Sequence, residues 1–473
     1  MKRETLSLLT EHLGEDQVVS DPALLKQYAA DWSAVSPRTP PVVVRPRNTN
    51  DVSTLMRLCN EHHLNVVLQG GLTGLSGGAV PRDDEIVLSL ERLNTIVDVD
   101  PTSMTMRVQA GATLQAVQDA ADDAGLQFAL DLGARGSCTI GGTAATNAGG
   151  NRVIKYGMMR DLTLGLEAVL ANGDRVGGLN AMIKNNAGYD LKQLFIGSEG
   201  TLGVITELVL RLQPRAQSEV VALCGAQSLD KLLKLLVLLK KESEGRLSAF
   251  EVMWADFFDR ATKFQGRAAK PLSDDYPIYA LVEFQGRDAA DLSLLTETIL
   301  GKALDSGLID DVIIGQSKSQ NQELWGIRDA IGDLLGELKP FIAFDISMPQ
   351  SVMGQFVDRM RAMLDRDFKK SQLLTFGHLG DGNLHLTVQY PDETRLHEIE
   401  DRILSIAGEY GASISGEHGI GIIKKPFLKY SRSPAEIELM RVLKHALDPN
   451  GILNRGRIFD VATHNQTLDQ AAE

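Results

Sequence analysis

The sequence predicts an α+β protein with more than one domain, and three observations predict this fold class. A strand, a helix and a second strand follow one another between Val42 and Gly71. A stretch of small residues, DLGARGSCTIGGTAATNAGGN, runs from Asp131 to Asn151. Strands and helices then alternate through the second half, and a length of 473 residues leaves room for about two to four domains.

The composition is that of a globular protein and excludes several classes of partner. The net charge is −14, with 48 basic and 62 acidic residues, which argues against nucleic acid and anionic membranes. Cys59, Cys138 and Cys224 are far apart and odd in number, as expected in a reducing compartment. The most apolar helix, Lys231 to Lys241, is shorter than the ~20 residues of a membrane span, and the acidic N-terminus does not resemble a signal peptide.

The predicted elements divide the chain into three parts. Residues 1–217 form the first domain, with a core at about 38–217 and a boundary after the strand VITELVLRL. Residues 218–400 form a second α+β domain, in which an antiparallel sheet carries helices on one face. Residues 401–473 are mainly helical. The predicted strands of the second domain are EVVALCGA, IYALVEFQG, DDVIIG, IAFDISMP, LLTFGHL and NLHLTVQY.

Two glycine-rich segments of the first domain offer bare backbone to a ligand. The loop QGGLTGLSGGAV, from Gln69 to Val80, follows a strand, and its N–H groups suit a pyrophosphate. It lacks the GK[ST] of a nucleotide-hydrolase loop and the GxGxxG of a nicotinamide site, and a structural turn is the alternative. The small-residue stretch suits a large flat ligand. A flexible linker is the alternative there, although Cys138 and Ile140 are unusual in a linker.

Three motifs carry a resemblance to a known family. QGGLTGLSGGAV, LDLGARGSCTIGGTAATNAGG and GYDLKQLFIGSEGTLGVIT together resemble the flavin-binding domain of the vanillyl-alcohol oxidase/PCMH superfamily, and within it the D-2-hydroxyglutarate and D-lactate dehydrogenase branch. The resemblance implies a PCMH-type FAD-binding domain of two α/β subdomains, followed by an α+β cap domain. It also implies a helical C-terminal segment that packs back on the FAD domain.

The resemblance assigns FAD contacts to small residues of these motifs and to a few residues elsewhere. Some relatives attach FAD through a His or Cys, and no His lies between Gln69 and Val80, so the FAD is expected to be non-covalent. The expected FAD-binding residues are Gly70, Gly71, Leu72, Thr73, Gly74, Leu75, Ser76, Gly77, Leu132, Gly136, Ser137, Gly141, Gly142, Thr146, Asn147, Gly150, Gly203, Val204, Ile205 and Asn454.

A second constellation lies in FGHLGDGNLHLTVQY. Asp381-Gly382 is a signal for a two-residue hairpin, and such a turn makes His378 face His385 directly. Directly opposed residues have Cβ atoms about 4.5–5.5 Å apart, so both imidazoles can bind one metal. The alternative is a pair of histidines with ordinary hydrogen-bond partners.

The segment SGEHGIG adds a carboxylate and a third imidazole. Glu417 and His418 point opposite ways if the segment is extended, so that one can bind a metal while the other acts as a base. An exposed polar turn is the alternative. The resemblance implies that His378, His385 and Glu417 hold a divalent metal, zinc in the first instance, and that His418 is the catalytic base and contacts the substrate.

The substrate contacts also come from the resemblance. Arg328 lies on a predicted helix, where most arginines extend along the surface, but the family has an arginine here that binds the substrate carboxylate bidentately. The hydroxyglutarate branch adds a threonine, a lysine and an asparagine, and the matching positions here are Gly332, Ala343 and Thr387. Of these only Thr387 keeps a hydrogen-bonding group.

The loss of the lysine predicts a preference for 2-hydroxy acids with short or apolar tails, such as D-lactate. Another cation, Lys184 or Lys424, is a candidate to replace the missing charge.

The function implied is an FAD- and metal-dependent dehydrogenase that oxidises a D-2-hydroxy acid (D-lactate, D-2-hydroxyglutarate or similar) to the 2-keto acid by hydride transfer to flavin. The electron acceptor is expected to be an electron-transfer flavoprotein, a quinone or a cytochrome. The expected location is cytoplasmic, with peripheral membrane association and a homodimer left open. The alternatives are an oxygen-using 2-hydroxy-acid or glycolate oxidase and an FAD-binding subunit of a larger electron-transfer complex.

Overall fold

The structure, a computed structural model, describes residues 3–264, 271–272 and 275–460. The chain forms two compact units. The first unit comprises Met1–Gly149, Met158–Arg215 and Glu417–Glu473, and the second comprises Gly150–Gly157 and Ala216–Gly416. The sequence predicts a first boundary after residue 217, and the units divide between Arg215 and Ala216.

The first unit contains a small mixed sheet and a larger antiparallel sheet. The mixed sheet includes the predicted strand–helix–strand opening, in which the helix Thr49–Glu61 is capped by the Asn48 side chain. Its strands, in spatial order, are Val18–Val19, Val43–Val44, Glu85–Ser89 and Asn65–Gln69. The antiparallel sheet has the order Ile96–Asp100, Thr105–Gln109, Val204–Arg211, Thr163–Val169 and Arg175–Gly178, and Leu126–Gln127 pairs separately with Gln213–Pro214.

The helices of the first unit are mostly short. Its described α-helices are Arg3–Leu13, Pro22–Leu25, Thr49–Glu61, Leu114–Asp123, Ile140–Ala145, Met159–Leu162, Lys192–Phe195 and Pro434–Leu447. Single turns of 3₁₀ helix occur at Glu15–Gln17 and Lys26–Tyr28, and a longer one spans Lys425–Tyr430. The helix Ile140–Ala145 begins inside the small-residue stretch because the Thr139 side chain caps it by accepting the Gly142 N–H.

The second unit is built on one antiparallel sheet of seven strands. Six of them match the predicted strands, and the seventh, Leu247–Trp254, was missed by the sequence analysis. The spatial order is Asp311–Ile314, Ser218–Ala226, Ile278–Gly286, Leu247–Trp254, Gln372–His378, Asn383–Gln389 and Phe341–Ser347. The missed strand therefore lies at the centre of the sheet.

Helices cover both faces of this sheet, so the expectation of one covered face was wrong. One core cluster packs the helices Ala255–Phe264 and Lys318–Asp329 against side chains such as Leu281. The helices Leu229–Glu242 and Ala289–Asp305 contact the same central strands without joining that cluster, which puts them on the other face. A continuous apolar pattern such as IYALV in Ile278–Gly286 is typical of a strand buried on both faces.

The described α-helices of the second unit are Val153–Tyr156, Leu229–Glu242, Ala255–Phe264, Ala289–Asp305, Lys318–Asp329, Ile331–Glu337, Gln350–Asp367 and Leu396–Glu409, with a 3₁₀ turn at Glu393–Arg395. None of the helices in the described ranges of either unit is long and apolar enough to cross a membrane.

Candidate active site

The two glycine-rich segments of the first unit lie against each other. A Cβ atom on Gly70 would overlap the Thr139 side chain, and one on Gly71 would overlap the Ser137 carbonyl. Only glycine permits this approach of two backbones. Further along the stretch, a Cβ on Gly136 would meet no atom within 4 Å, so this backbone faces open space. The arrangement fits a large ligand held by main-chain groups, which is what the sequence predicts for FAD.

The loop from Gln69 to Val80 is held at its first residue by hydrogen bonds, and its tip is exposed. The Gln69 side-chain amide is buried and donates to the carbonyls of Tyr28 and Ala79, each over 2.9 Å. Leu75, near the tip, is 44% exposed although it is apolar. A bound cofactor would cover such a side chain.

Of the other expected FAD residues, Asn147, Val204 and Ile205 lie in the first unit and Gly150 lies in the second. Asn147 has a positive φ of 49°, and its side-chain oxygen accepts the Arg160 N–H over 2.9 Å. Val204 and Ile205 are buried at the start of a strand. Gly150 opens the short segment that belongs to the second unit.

Asn454 ties the C-terminal part of the first unit to its sheet. Its side-chain oxygen accepts the Leu68 N–H over 2.9 Å, and its amide donates to the Glu199 carbonyl over 2.6 Å. These bonds give Asn454 a structural role beside any contact with FAD.

Glu199 is a functional candidate that the sequence analysis missed. Its carboxylate accepts the N–H groups of Ile420 (2.7 Å) and Gly421 (2.8 Å), just after His418. Burial raises the pKa of Glu199 above its ordinary value, although these two N–H groups and Lys424 oppose the shift. The sequence signal was the single carboxylate in GSEGT, a segment of small residues. A carboxylate that is buried in such a segment needs a hydrogen-bond or charge partner.

In the second unit, the hairpin that carries the two histidines has a different register from the one predicted. His378 pairs with Asn383 and His385 pairs with Phe376, so the two histidines are diagonal rather than directly opposed. The loop between the strands has four residues, 379–382. Gly382 has a φ of +84°, but Asp381 does not have the positive φ that a two-residue turn would require.

The predicted register is wrong by two residues. This shift does not change the face of the sheet on which each histidine lies, because side chains alternate between the faces with a period of two. The imidazole rings of His378 and His385 have centroids 5.2 Å apart, with planes at 81°. Diagonal neighbours in an antiparallel pair are still within reach of long side chains. The two rings therefore lie side by side on one face of the sheet, as a shared metal site requires.

A row of polar side chains crosses this face of the sheet. Strand pairing aligns four residues from four neighbouring strands, which we call the polar row: Glu251, His378, Asn383 and Ser347. The next row consists of Met253, Phe376, His385 and Asp345.

Burial raises the pKa of Asp381, in the hairpin loop, to about 6, and the nearby His378 opposes the shift.

Arg328 lies on the helix Lys318–Asp329 and is buried, not extended along the surface. Its Nε donates to Glu251 Oε2 over 2.7 Å, and its guanidinium lies 4.8 Å from the centre of the Phe376 ring. Its Nη2 is 3.3 Å from His378 Nε2, and His378 Nδ1 is 2.7 Å from Glu251 Oε1. Burial acts to raise the pKa of Glu251, but its interactions with His378 and Arg328 outweigh the burial and hold the pKa below its ordinary value.

The segment before Glu417 is attached to the edge of the seven-stranded sheet. Ser413 and Ser347 exchange two backbone hydrogen bonds, and the Gly416 N–H donates to the Asp345 carbonyl over 3.2 Å. Asp345 is the cross-strand partner of His385. Residues 416–418 form bends instead of the extended segment considered from the sequence.

Thr387 is buried and pairs across the strands with Ala343. The pair lies two residues along from the pair of Asp345 and His385, and therefore on the same face. Gly332, on the helix Ile331–Glu337, is exposed, and a Cβ there would meet nothing within 4 Å.

Comparison with known proteins identifies the family. Residues 40–177 match the FAD binding domain family, and residues 215–458 match the C-terminal domain of FAD linked oxidases. The chain is 38% identical to D-2-hydroxyglutarate dehydrogenase of Xanthomonas citri pv. viticola, covering 94% of each chain. It is 37% identical to the mitochondrial D-2-hydroxyglutarate dehydrogenase of Arabidopsis thaliana, covering 96% of this chain and 81% of the relative.

The fold also has a solved counterpart. The structure superposes on that of substrate-bound p-cresol methylhydroxylase with a TM-score of 0.75. The two sequences are 16% identical, and the match covers 97% of this chain and 96% of the other. The PCMH-type fold and the presence of an FAD-binding domain, both predicted from the sequence, are thereby confirmed. The chain therefore belongs to the FAD-linked oxidases, in the branch that contains the D-2-hydroxyglutarate dehydrogenases.

Proposed function

We propose that this protein is an FAD- and divalent-metal-dependent dehydrogenase that oxidises a D-2-hydroxy acid to the 2-keto acid. The observation that carries the proposal is the group of His378, His385 and Arg328, two imidazoles and a buried guanidinium on one face of a sheet. The names of the relatives support the same class of substrate.

His378, His385 and Glu417 are the proposed metal ligands. Two imidazoles and one carboxylate are a donor set typical of zinc, and they leave positions open for substrate or water. Glu417 follows Gly416 directly, and consecutive Cα atoms are about 3.8 Å apart. The bond from Gly416 to Asp345, the partner of His385, therefore supports the inclusion of Glu417.

Arg328 is the proposed binding group for the α-carboxylate, and His418 is the proposed base. Because Glu251 engages Nε of Arg328, the carboxylate would be bound by the two terminal nitrogens. His418 would take the proton of the substrate hydroxyl. The metal, when bound, would lower the pKa of that hydroxyl, and FAD would accept the hydride.

Ala343 and Thr387 support a preference for a short or apolar substrate tail. They are cross-strand partners on the face that carries His385, and they correspond to the lysine and asparagine of the hydroxyglutarate branch. With alanine at position 343 and nothing beyond hydrogen at Gly332, a distal carboxylate would lack a cation there, and an unpaired buried charge costs several kcal/mol. D-Lactate is therefore the proposed substrate in preference to D-2-hydroxyglutarate.

Reduced flavin would pass its electrons to an electron-transfer flavoprotein, a quinone or a cytochrome, in a cytoplasmic or peripheral membrane setting. Fast formation of hydrogen peroxide with substrate would instead indicate an oxidase.

The decisive experiment is anaerobic bleaching of the flavin by D-lactate, D-malate, D-2-hydroxyglutarate and L-lactate. We expect the D-acids to reduce the flavin and D-lactate to give the highest kcat/KM with an artificial acceptor. A tenfold advantage for D-2-hydroxyglutarate, or about 1.4 kcal/mol, would contradict the substrate preference, and Lys184 and Lys424 would then be tested as the missing cation. No bleaching by any 2-hydroxy acid would contradict the activity itself.

The role of His418 is tested by the His418→Ala variant. Flavin reduction in a single turnover should be slower by about 10²–10⁴-fold, the contribution of a general base, while substrate still binds. An unchanged rate would assign the base to another residue.

A further inference from the structure

We infer that Glu251 is a positioning residue that fixes the metal ligand His378 and the carboxylate-binding Arg328 at the same time. The inference rests on the proposed function and assigns a role to a residue that neither the sequence motifs nor the proposed ligand set include. Glu251 lies at the centre of the sheet, on the strand Leu247–Trp254, and is fully buried.

The two oxygens of Glu251 are divided between the two partners. Oε1 is 2.7 Å from His378 Nδ1, and Oε2 accepts a hydrogen bond from Arg328 Nε over 2.7 Å. Arg328 Nη2 closes the triangle at 3.3 Å from His378 Nε2. Each side chain of the triangle is therefore held by both of the others.

The bond to His378 determines which imidazole nitrogen binds the metal. A carboxylate next to Nδ1 stabilises the tautomer with the proton on Nδ1, so the lone pair is on Nε2. Metal-binding histidines commonly donate their second nitrogen to a carboxylate, and loss of that partner typically weakens metal affinity by about 10–100-fold. Glu251 provides this bond from the neighbouring strand, at the cross-strand position of His378.

The bond to Arg328 determines which edge of the guanidinium is presented to a substrate. With Nε engaged by Glu251 and one face over the Phe376 ring, the terminal nitrogens are the part left to bind an anion. Nη2 and a metal ion would compete for the lone pair of His378 Nε2. Metal binding at Nε2 would thus release Nη2 toward the substrate carboxylate, which links metal affinity to substrate affinity.

Glu283 provides a matched control within the same sheet. It is also fully buried and paired with an arginine, since Arg152 donates to it from Nε (2.8 Å) and Nη2 (2.9 Å). Ser248 and Trp325 also donate hydrogen bonds to it. None of these partners belongs to the proposed site.

The test compares Glu251→Gln with Glu283→Gln in the full-length holoenzyme. Zinc affinity is measured by competition with a chromophoric chelator, and KM and kcat are measured separately with D-lactate. For Glu251→Gln we expect zinc affinity to fall by about 10–100-fold and KM to rise even at saturating zinc. Glu283→Gln should change neither. Glu251→Asp restores the charge but is shorter, so it should not restore both values.

The outcomes separate this inference from the proposed function. A wild-type protein without metal and without flavin bleaching would overturn the proposed function. A wild-type protein that binds zinc and turns over, together with a Glu251→Gln variant of unchanged zinc affinity and KM, would overturn the inference alone. If Glu251→Gln does not fold, the double variant Glu251→Gln/Arg328→Met removes the unpaired buried cation, and wild-type zinc affinity in that variant would equally overturn the inference.

Discussion

The side-chain hydroxyl of Ser76 donates a hydrogen bond to the backbone carbonyl of His418 over 2.9 Å. It is also 2.9 Å from the Gly419 carbonyl, and the Ser76 carbonyl accepts the N–H of Ile422. Ser76 belongs to the loop expected to bind the FAD pyrophosphate, and His418 is the proposed base. One serine therefore connects the cofactor loop to the segment that carries the base.

We expect Ser76→Ala to slow flavin reduction while FAD stays bound. One lost hydrogen bond is worth about 0.5–1.5 kcal/mol. If this whole amount is added to the activation free energy, flavin reduction slows by at most roughly tenfold. Stopped-flow reduction at saturating substrate measures the effect. Ser53→Ala is the control, since Ser53 also donates to a distant carbonyl, that of Gly173, over 2.5 Å. Equal rates in the two variants would contradict the connection.

His385→Ala should abolish metal binding and most turnover while FAD remains bound. The reason is that His385 is a proposed metal ligand, whereas the FAD binding domain match covers residues 40–177. The loss of activity should exceed the ~10–100-fold that is typical when a residue hydrogen-bonded to a metal ligand is replaced. Elemental analysis and flavin absorbance measure both contents in one sample.

His397→Ala is the control for this substitution. His397 lies in the same unit, on the helix Leu396–Glu409, and its side chain is 72% exposed and paired with Glu400. Full activity of His385→Ala in strong chelator would rule out the metal site.

The hairpin shows what the sequence could determine. The alternation of polar and apolar residues around His385 predicted its face correctly, because a period of two survives a shift of two residues. The register itself depends on the turn, and Asp381-Gly382 is compatible with more than one loop length. The position of His378 opposite Asn383 was therefore beyond the sequence pattern.

Glu251 was missed for a different reason. Its strand, LSAFEVMW, runs directly into the helix Ala255–Phe264 without a Gly or Pro to mark the boundary. The one signal was a carboxylate within an apolar run, which implies a buried partner. Its partners, Arg328 and His378, are 77 and 127 residues away along the chain. Such distant pairing follows from strand order, which local patterns do not contain.

A pH dependence of stability is expected from Glu219. Burial and the charge of Glu283 raise its pKa to about 7 from an ordinary value of 4.5, although Arg152 opposes the shift. The folded protein then binds a proton more tightly than the unfolded chain. The contribution of Glu219 is fully present below pH 4.5 and is lost as the pH rises through about 7.

The free energy of unfolding should therefore fall between about pH 4.5 and pH 7, and Glu219→Gln should flatten this slope. The side chain is 37% exposed, so water screens the interaction and the effect is smaller than the shift alone implies. Urea midpoints across the pH range measure it. An unchanged slope in Glu219→Gln would assign the titration to another group.

The buried side-chain amide of Asn383 connects the stability of the fold with its function. Its side chain is only 4% exposed, and its amide nitrogen and oxygen make no hydrogen bond to any residue in the described ranges. It lies in the polar row between His378 and Ser347. A buried amide without a partner costs about 1–3 kcal/mol. Such a cost at this position is expected if the amide serves a substrate or a water molecule.

Asn383→Leu should therefore raise the free energy of unfolding of the metal-free protein while it lowers kcat/KM. Asn321→Leu is the matched control, because Asn321 is 5% exposed and its amide donates to the Glu219 carbonyl over 2.9 Å. That variant removes the partner of the Glu219 carbonyl and of the buried Val221 N–H, so it should be less stable than the wild type by about 1–3 kcal/mol. Urea unfolding compares the two variants with the wild type. If Asn383→Leu loses as much stability as Asn321→Leu, the Asn383 amide contributes to the fold in the same way and has no separate role in binding.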